Sequence, residues 1–231
     1  MLSILSNSID FFFPKVCIIS DIKIPQNNSN PYISDEIIKN LDKPSRQDLY
    51  LLENKLDANN TFTCFVTKGN NDVNKILHHL KYKGFSNLGL FFGEYISENV
   101  LENYSDIRKK YNIICPVPLH KTKLRERGYN QSDFIVRGIN KTLKLDYFPE
   151  LVIRSRYTKS QTKLPYPERV SNVKNAFNIN PKFANMVKKK HIILVDDVVT
   201  SGSTLNEVIK VLKESGATNV FAVTIAMAKG E

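Results

Sequence analysis

Three stretches predict an α/β protein with a mainly parallel central sheet flanked by helices. In the first, residues 191–205 (HIILVDDVVTSGSTL), four apolar residues run into Asp196 and Asp197 and then into a hydroxyl- and glycine-rich turn. Beyond that turn Leu205, Val208, Ile209 and Leu212 recur at helical spacing. The second, residues 220–227 (VFAVTIAM), is a fully apolar run of the kind found in strands buried on both faces. The third is the alternation of strand-like and helix-like segments after residue 110, which argues for a parallel sheet built from crossover units.

At 231 residues the chain suits one domain, or one domain with a small appendage. We divide it into an N-terminal appendage over residues 1–60 and a main domain over 61–231. An apolar fraction of 42% is enough for a core, and 24% charged residues is ordinary for a soluble protein. No apolar run approaches the ~20 residues of a membrane-spanning helix, so no membrane insertion is expected. The first residues, MLSILSNSIDFFFPK, carry Asp10 and no early basic region, and read as an amphipathic structural segment and not as a secretory signal. Cys17, Cys64 and Cys115 lie far apart, form no pairable framework and suit a reduced, cytoplasmic setting. The net charge of +10 fits either a solvated basic surface or a partner bearing phosphates.

In chain order, residues 1–60 are poorly patterned. Phe11, Phe12, Phe13, Val16, Ile18, Ile19, Ile22 and Ile24 suit short strands or a packing flap, and residues 27–31 (NNSNP) form a break. Residues 35–56 suit a helix interrupted near Pro44. Residues 61–67 (TFTCFVT), β-branched and aromatic, predict a strand. Val73, Ile76, Leu77 and Leu80 predict a helix over 72–81 that stops at Gly84. His78 and His79 on it have no ligand-spaced partners and read as surface residues. A second helix over 88–101 is weakened by Gly89 and Gly93. Residues 112–118 read as a short buried strand, 131–143 as a helix, 151–154 as a strand and 175–179 as a short edge strand. Between the last two, residues 155–174 are long, polar, basic and unpatterned, which suits a lid or binding loop. Residues 181–190 are a connector, and Gly216 closes the helix that follows the acidic turn.

The chemistry concentrates in two places. In open α/β sheets ligands bind just past the carboxyl ends of strands, and a loop that opens a helix offers free N–H groups and a positive dipole end to an anion. Asp196 and Asp197 beside Thr200, Ser201, Gly202, Ser203 and Thr204 therefore suit vicinal hydroxyls, met directly or through a divalent metal, together with a phosphate. A phosphorylated sugar has both. Thr204 and Glu207 have capping-box spacing, yet capping needs neither acid. The second place follows residue 118, where Leu119, His120, Lys121, Lys123, Arg125 and Arg127 crowd the end of a strand. Gly128 lets the backbone turn there, and Asn130 and Gln131 supply neutral donors. Guanidinium groups suit bidentate phosphate contacts; the plainer alternative is a basic loop entering a helix. From 119 to 174 thirteen Lys and Arg stand against five acids, so most of the excess charge is local.

VDDVVTSGSTL resembles the phosphoribosyl pyrophosphate (PRPP) motif of the type I phosphoribosyltransferases, an apolar strand ending in two acids and a T-[SG]-G-x-T loop. PVPLHKTKLRERGYNQS resembles the P-V-P-L…R-x-R-G-[FY]-N-Q signature of ComF-type proteins, phosphoribosyltransferase-like proteins associated with natural competence. Arg154, Thr158, Gln161, Arg169, Asn172 and Phe177 are similar to their R-x-x-x-T-x-x-Q…R-x-x-N-x-x-x-A-F run, and Leu80-Lys81-Tyr82-Lys83-Gly84 to their LKYxG element. The likeness covers roughly residues 61–228, with the motifs in order. One departure is the four-cysteine, zinc-ribbon-like element that commonly precedes the LKYxG element. Only Cys17 stands in that region here, with Ser20 in the place of a C-x-x-C partner. A structural zinc site needs about four Cys or His ligands, so no zinc site is expected.

The resemblance implies a type I phosphoribosyltransferase fold with a hood-like, degenerate finger region over 1–60. It implies that Asp196 and Asp197 face the ribose hydroxyls of PRPP with Mg²⁺ close by, and that Thr200, Ser201, Gly202, Ser203 and Thr204 wrap the 5′-phosphate. Pyrophosphate would meet Leu119, His120, Lys121, Lys123, Arg125 and Arg127, with a flexible loop carrying Thr158, Lys159, Gln161 and Arg169. Asp196, Asp197, Arg125 and Lys159 are the expected catalytic residues, and Mg²⁺ the expected cofactor. The implied reaction transfers phosphoribosyl from PRPP to an unidentified nitrogen acceptor with release of pyrophosphate, in competence or DNA uptake. Two alternatives stay open: a catalytically weak PRPP- or nucleotide-sensing adaptor, and a single-stranded DNA-binding component of DNA uptake in which Tyr129, Tyr147, Tyr157 and Tyr166 stack on bases. DNA-uptake proteins are the implied partners, and a homodimer is compatible with the sequence.

Overall fold

The computed structural model describes residues 14–68, 71–157 and 173–229. A central sheet of five strands has the order β1-β7-β6-β2-β3, with β1 Asn60–Thr67, β2 Ile113–Pro116, β3 Asp146–Tyr147, β6 His191–Val199 and β7 Asn219–Ala228. Every neighbouring pair is parallel. The fold is thus the α/β arrangement expected, and β6 and β7 sit in the middle of it, where apolar residues on both faces are needed.

Helices cover both faces. On one side lie α3 (Asp72–Tyr82), α4 (Ser86–Asn103) and α7 (Gln131–Leu143), which bury Leu80, Phe92, Ile96, Ile135 and Ile139 against Phe65, Ile193, Val195 and Phe221 of the sheet. On the other side lie α2 (Arg46–Lys55) and α9 (Ser203–Glu214), where Leu52, Leu205, Val208 and Leu212 pack on Cys115, Ile192, Leu194 and Ala222. Period-2 alternation along β6 divides its side chains between the two layers.

Gly89 and Gly93, which weaken a helix by propensity, have a packing role in α4. A Cβ added at Gly93 would lie 2.2 Å from the Ile135 carbonyl oxygen, and one at Gly138 the same distance from that of Leu90. The two helices touch backbone to backbone, which fixes how α7 sits over the end of β6.

Residues 14–44 are a packed flap rather than a set of strands. A single bridge, Val16 to Lys23, is their β structure, and Cys17, Ile24, Ile33, Ile38 and Leu41 are buried against the layer of α3 and α4. The helix expected over 35–56 is broken, with α1 Asp35–Lys39 and α2 on either side of Pro44. A capping box between Ser45 and Asp48 starts α2 afresh. The Ser45 hydroxyl, then its backbone N–H, hold the Asp48 carboxyl at about 2, and Lys229 beyond β7 meets it at 3.0 Å. Of the two predicted histidines, His78 is exposed, whereas His79 is half-buried edge-on to Phe85.

Two strands form a separate antiparallel pair, β4 Val152–Arg154 with β5 Phe177–Ile179. The stretch 175–179 is therefore not an edge strand of the main sheet. Phe177 is buried against α9's layer, and Asn175 donates its N–H to Glu207 at 2.6 Å. Helices α5 (Ile107–Lys110) and α6 (Lys121–Arg127), and α8 (Ala184–Val187) within the predicted connector, complete the chain. Phe11, Phe12 and Phe13, and the expected loop residues Thr158, Lys159, Gln161 and Arg169, lie outside the described residues.

Candidate functional site

The sheet's topology opens a cleft between β2 and β6. From β6 the chain runs through α9 on one face to β7; from β2 it runs through α7 on the other face to β3. The strand order reverses between them, and in open α/β sheets such a switch point, at the carboxyl ends, is where ligands bind. A cavity of about 150 Å³ lies there, lined by Lys81, Lys123, Arg127, Arg154, Asp196 and Asp197, with the Val117–Leu119 turn and the end of β6, the turn after it and the start of α9 as walls.

The acids are not beyond the strand, as the sequence suggested, but within it. β6 continues to Val199 because Asp196, Val198 and Val199 stay in register with Thr224, Ala226 and Met227 of β7. Both acids are consequently buried. Asp196 Oδ1 accepts from the Ser132 hydroxyl at 3.0 Å and from the Asp197 N–H at 2.9 Å. Burial, and next the charge of Asp197, push its carboxyl up to about 7, against the pull of that N–H, Lys81 and Ser132. Asp197 lies two residues beyond Val195, towards the same helical layer, and its Oδ2 meets Lys81 Nζ at 2.9 Å.

The 200–204 turn joins β6 to α9. Gly202 adopts φ +81°, which glycine alone enters without strain, and it is the N-cap of α9. Gly202 has no side chain with which to cap that terminus, and Ser201 Oγ accepts from the Ser203 N–H at a long 3.4 Å. With Gly202 at the N-cap the capping box of Thr204 and Glu207 does not form, and Glu207 binds Asn175 instead. Thr200, Gly202 and Thr204 line the cavity, while Ser201 and Ser203 are buried and bond each other at 2.9 Å. The turn is braced from the N-terminal region. Lys55 Nζ donates to the Thr200 carbonyl at 3.1 Å, and Asn206 spans from the Lys55 carbonyl, at 2.9 Å, to the Asp57 N–H, at 3.0 Å.

The basic run after β2 is a helix, α6, and this divides its cations. Residues four apart share a helix face, so Lys123 and Arg127 together line the cavity whereas Lys121 and Arg125 point elsewhere and are exposed. Lys121 lines a second cavity on the far side of α6. Arg125 and His120 line neither; the His120 ring caps α6 and stands edge-on to Tyr157. Arg125, expected among the catalytic and pyrophosphate-binding residues, is thus not brought to the wall of the cavity that holds the acids. Gly128, at φ +81°, ends α6 as anticipated, and Asn130 fastens the turn by donating to the Val117 carbonyl at 3.0 Å. Burial, then the charges of Arg154 and Arg127, lower the Lys123 ammonium from its ordinary value. Burial does the same to Arg154, partly offset by Asp196.

Sequence reasoning missed Lys81, Ser132 and Arg154 as members of one cleft. Lys81 stands in the LKYKG stretch and Arg154 opens another of the noted motifs, which was the available signal; nothing local marks Ser132. The donor set suits Mg²⁺, which takes one or two carboxylates and completes its shell with waters and phosphate oxygens. Among the described residues no group of three or more His, Cys, Asp or Glu forms a self-contained metal cage.

A family described as "Phosphoribosyl transferase domain" matches residues 143–231. "Competence protein F" of Haemophilus influenzae is 36% identical over 115 residues, 50% of each chain. "DNA utilization protein YhgH" of Escherichia coli K12 is 37% identical over 107 residues, 46% of this chain and 45% of that protein. "Competence protein ComFC" of Bacillus subtilis is 25% identical over 159 residues, 68% of this chain and 60% of that protein. The chain thus spans about half the length of the first two relatives.

Proposed function

Because this chain belongs to the ComF-type competence and DNA-utilization proteins and carries a type I phosphoribosyltransferase domain, we propose that its cleft binds PRPP and transfers the phosphoribosyl group to a nitrogen acceptor, releasing pyrophosphate. The observation that carries the reading is the meeting, at one switch point, of two buried acids, an uncapped helix N-terminus and a cluster of four cations. The 5′-phosphate would accept from the backbone N–H groups at Gly202–Thr204, where the dipole of the twelve-residue helix α9 adds positive charge. Asp196 and Asp197 would accept from the ribose hydroxyls. Lys123 and Arg127 would face the pyrophosphate and stabilise the charge it gathers as the C1–O bond breaks. Mg²⁺, held by the acid pair, would neutralise diphosphate oxygens and orient the ribose.

The names of the relatives favour a place in DNA uptake or utilization, where a second reading is an adaptor that binds PRPP without turning it over. Two measurements separate these. Isothermal titration with PRPP and Mg²⁺ is expected to show binding that disappears in the double variant Asp196→Asn, Asp197→Asn while its circular dichroism stays unchanged. Equal affinity in that variant refutes the site. A pyrophosphate-release screen with nucleobases and amines then decides: binding with no release for any acceptor leaves the adaptor.

A further inference from the structure

The end of α3 lies far upstream of the acidic motif, and its three residues 80–82 each hold a different piece of the site. The Tyr129 hydroxyl donates to the Leu80 carbonyl, the Arg127 guanidinium lies 5.3 Å from the centre of the Tyr82 ring, and Lys81 pairs with Asp197. The first two contacts fix the helix end against the turn that follows α6. They leave Lys81 little choice of direction, and its side chain is only 20% exposed.

An ammonium in that position is costly unless it has work to do. It sits in a cavity with three further cations, Lys123, Arg127 and Arg154, and, beyond the effect of burial, adds to the positive charge that lowers the Lys123 ammonium. Its compensation is the Asp197 carboxylate, which in turn is the oxygen donor a divalent cation needs. Two cations cannot share one carboxylate oxygen at full strength, because their mutual repulsion at a few ångströms is large in a partly buried site. The ion pair is therefore an interaction that must be exchanged before the acid pair takes a metal.

We propose that Lys81 is the exchangeable counter-cation of the acid pair. It holds the Asp197 carboxylate directed into the cleft, and it suppresses binding of a divalent cation that arrives without a polyphosphate. When a divalent cation arrives with a diphosphate ester, the metal takes Asp197, and the displaced ammonium turns to the diphosphate beside Lys123 and Arg127. Lys81 thereby makes metal and diphosphate bind together and weakly apart. The last step rests on the PRPP reading; the suppression of lone metal binding does not.

The test titrates the intact protein with Mn²⁺ alone at pH 8.5, following loss of the free-ion electron paramagnetic resonance signal, and then repeats it with PRPP. Lys81→Met is expected to bind lone Mn²⁺ at least about tenfold more tightly than the wild type, as removal of a nearby unit charge requires. It should bind PRPP–Mn²⁺ about tenfold more weakly, and Lys81→Arg should behave as the wild type does in the first titration. Lys81→Gln, a second neutral variant, gives the same comparison should Lys81→Met melt below the assay temperature. Equal lone-metal affinity in the wild type and a folded neutral variant overturns the proposal. If the lone-metal difference appears but no protein binds PRPP, the PRPP reading fails and the counter-cation role stands.

Discussion

Ser132→Ala isolates one hydrogen bond to the acid pair and separates its effect by pH. Ser132 is fully buried, its hydroxyl 3.0 Å from Asp196 Oδ1, and the first turn of α7 that carries it is capped by Asn130. A hydrogen bond to a charged group contributes about 1.5–3 kcal/mol and a neutral one about 0.5–1.5 kcal/mol. The difference, about 1–1.5 kcal/mol, corresponds to roughly one pKa unit at 1.36 kcal/mol per unit. Asp196 titrates at about 7 in the folded protein, against 3.8 as its ordinary value. Between those two pH values the folded state binds more protons than the unfolded state, so stability falls as pH rises. The contribution of a neutral Asp196 is whole below pH 3.8 and gone above about pH 7. Removing the hydroxyl raises the folded pKa further and extends that loss by about one pH unit. The destabilisation of Ser132→Ala, measured by urea unfolding, is therefore expected to be about 0.5–1.5 kcal/mol at pH 5 and to rise to about 1.5–3 kcal/mol at pH 9. A destabilisation that is the same at both pH values would refute the assignment of Ser132 as the donor that keeps Asp196 ionisable.

Two further substitutions test the scaffold. Gly93→Ala gains about 1 kcal/mol of helix propensity but places a Cβ 2.2 Å from the Ile135 carbonyl oxygen and 2.8 Å from the Gly138 Cα. Both are backbone atoms, so α4 and α7 must part. Overpacking of this kind costs about 1–3 kcal/mol or more, and a fall of several degrees in Tm by differential scanning calorimetry is expected; an unchanged or raised Tm refutes the close approach. Gly202→Ala forces alanine to φ +81°, with its Cβ 3.1 Å from Leu56 Cδ2 and Lys55 Cγ. Leu56 Cδ2 ends a flexible side chain, but Lys55 Cγ lies near its backbone and the Lys55 carbonyl oxygen is 3.4 Å away, so crowding adds to a backbone strain of about 1–2 kcal/mol. PRPP affinity should fall more than stability does, and a variant that binds PRPP normally would remove the 200–204 turn from the phosphate site.

What could be read from the sequence was what neighbours decide. The helix over 131–143 coincides with α7, because its apolar stripe is complete within one segment. The strand-turn-helix of 191–214 was equally plain. The helical state of α6 was not, since Lys121–Arg127 carries a single apolar residue, Leu124, and gives periodicity nothing to repeat. Asp196 and Asp197 have low strand propensity, yet the ladder with β7 draws them into β6. The glycines of α4 looked like flaws until the facing helix was in place. Lys81, Ser132 and Arg154 come from a helix end, a helix start and a separate strand pair, and only tertiary packing assembles them.

The matched domain, 143–231, holds the acids and the turn but cannot be the unit that works. Its strand β6 lies between β7 and β2 in the sheet, and β2, at Ile113–Pro116, is outside the match. Cut at residue 143, β6 would expose an unpaired apolar edge, the feature that drives strands to aggregate. The same cut removes Lys81, Lys123 and Arg127, which line the cavity with the acids, and Ser132, which donates to Asp196. It also removes Lys55, which donates to the Thr200 carbonyl, and Leu56, which packs against Gly202. The 200–204 turn is therefore braced by the region before β1, and the acid pair is balanced by the region between β1 and the start of α7. The packing that shapes the cleft begins upstream of β1, at α2, and the acidic motif is only its downstream half.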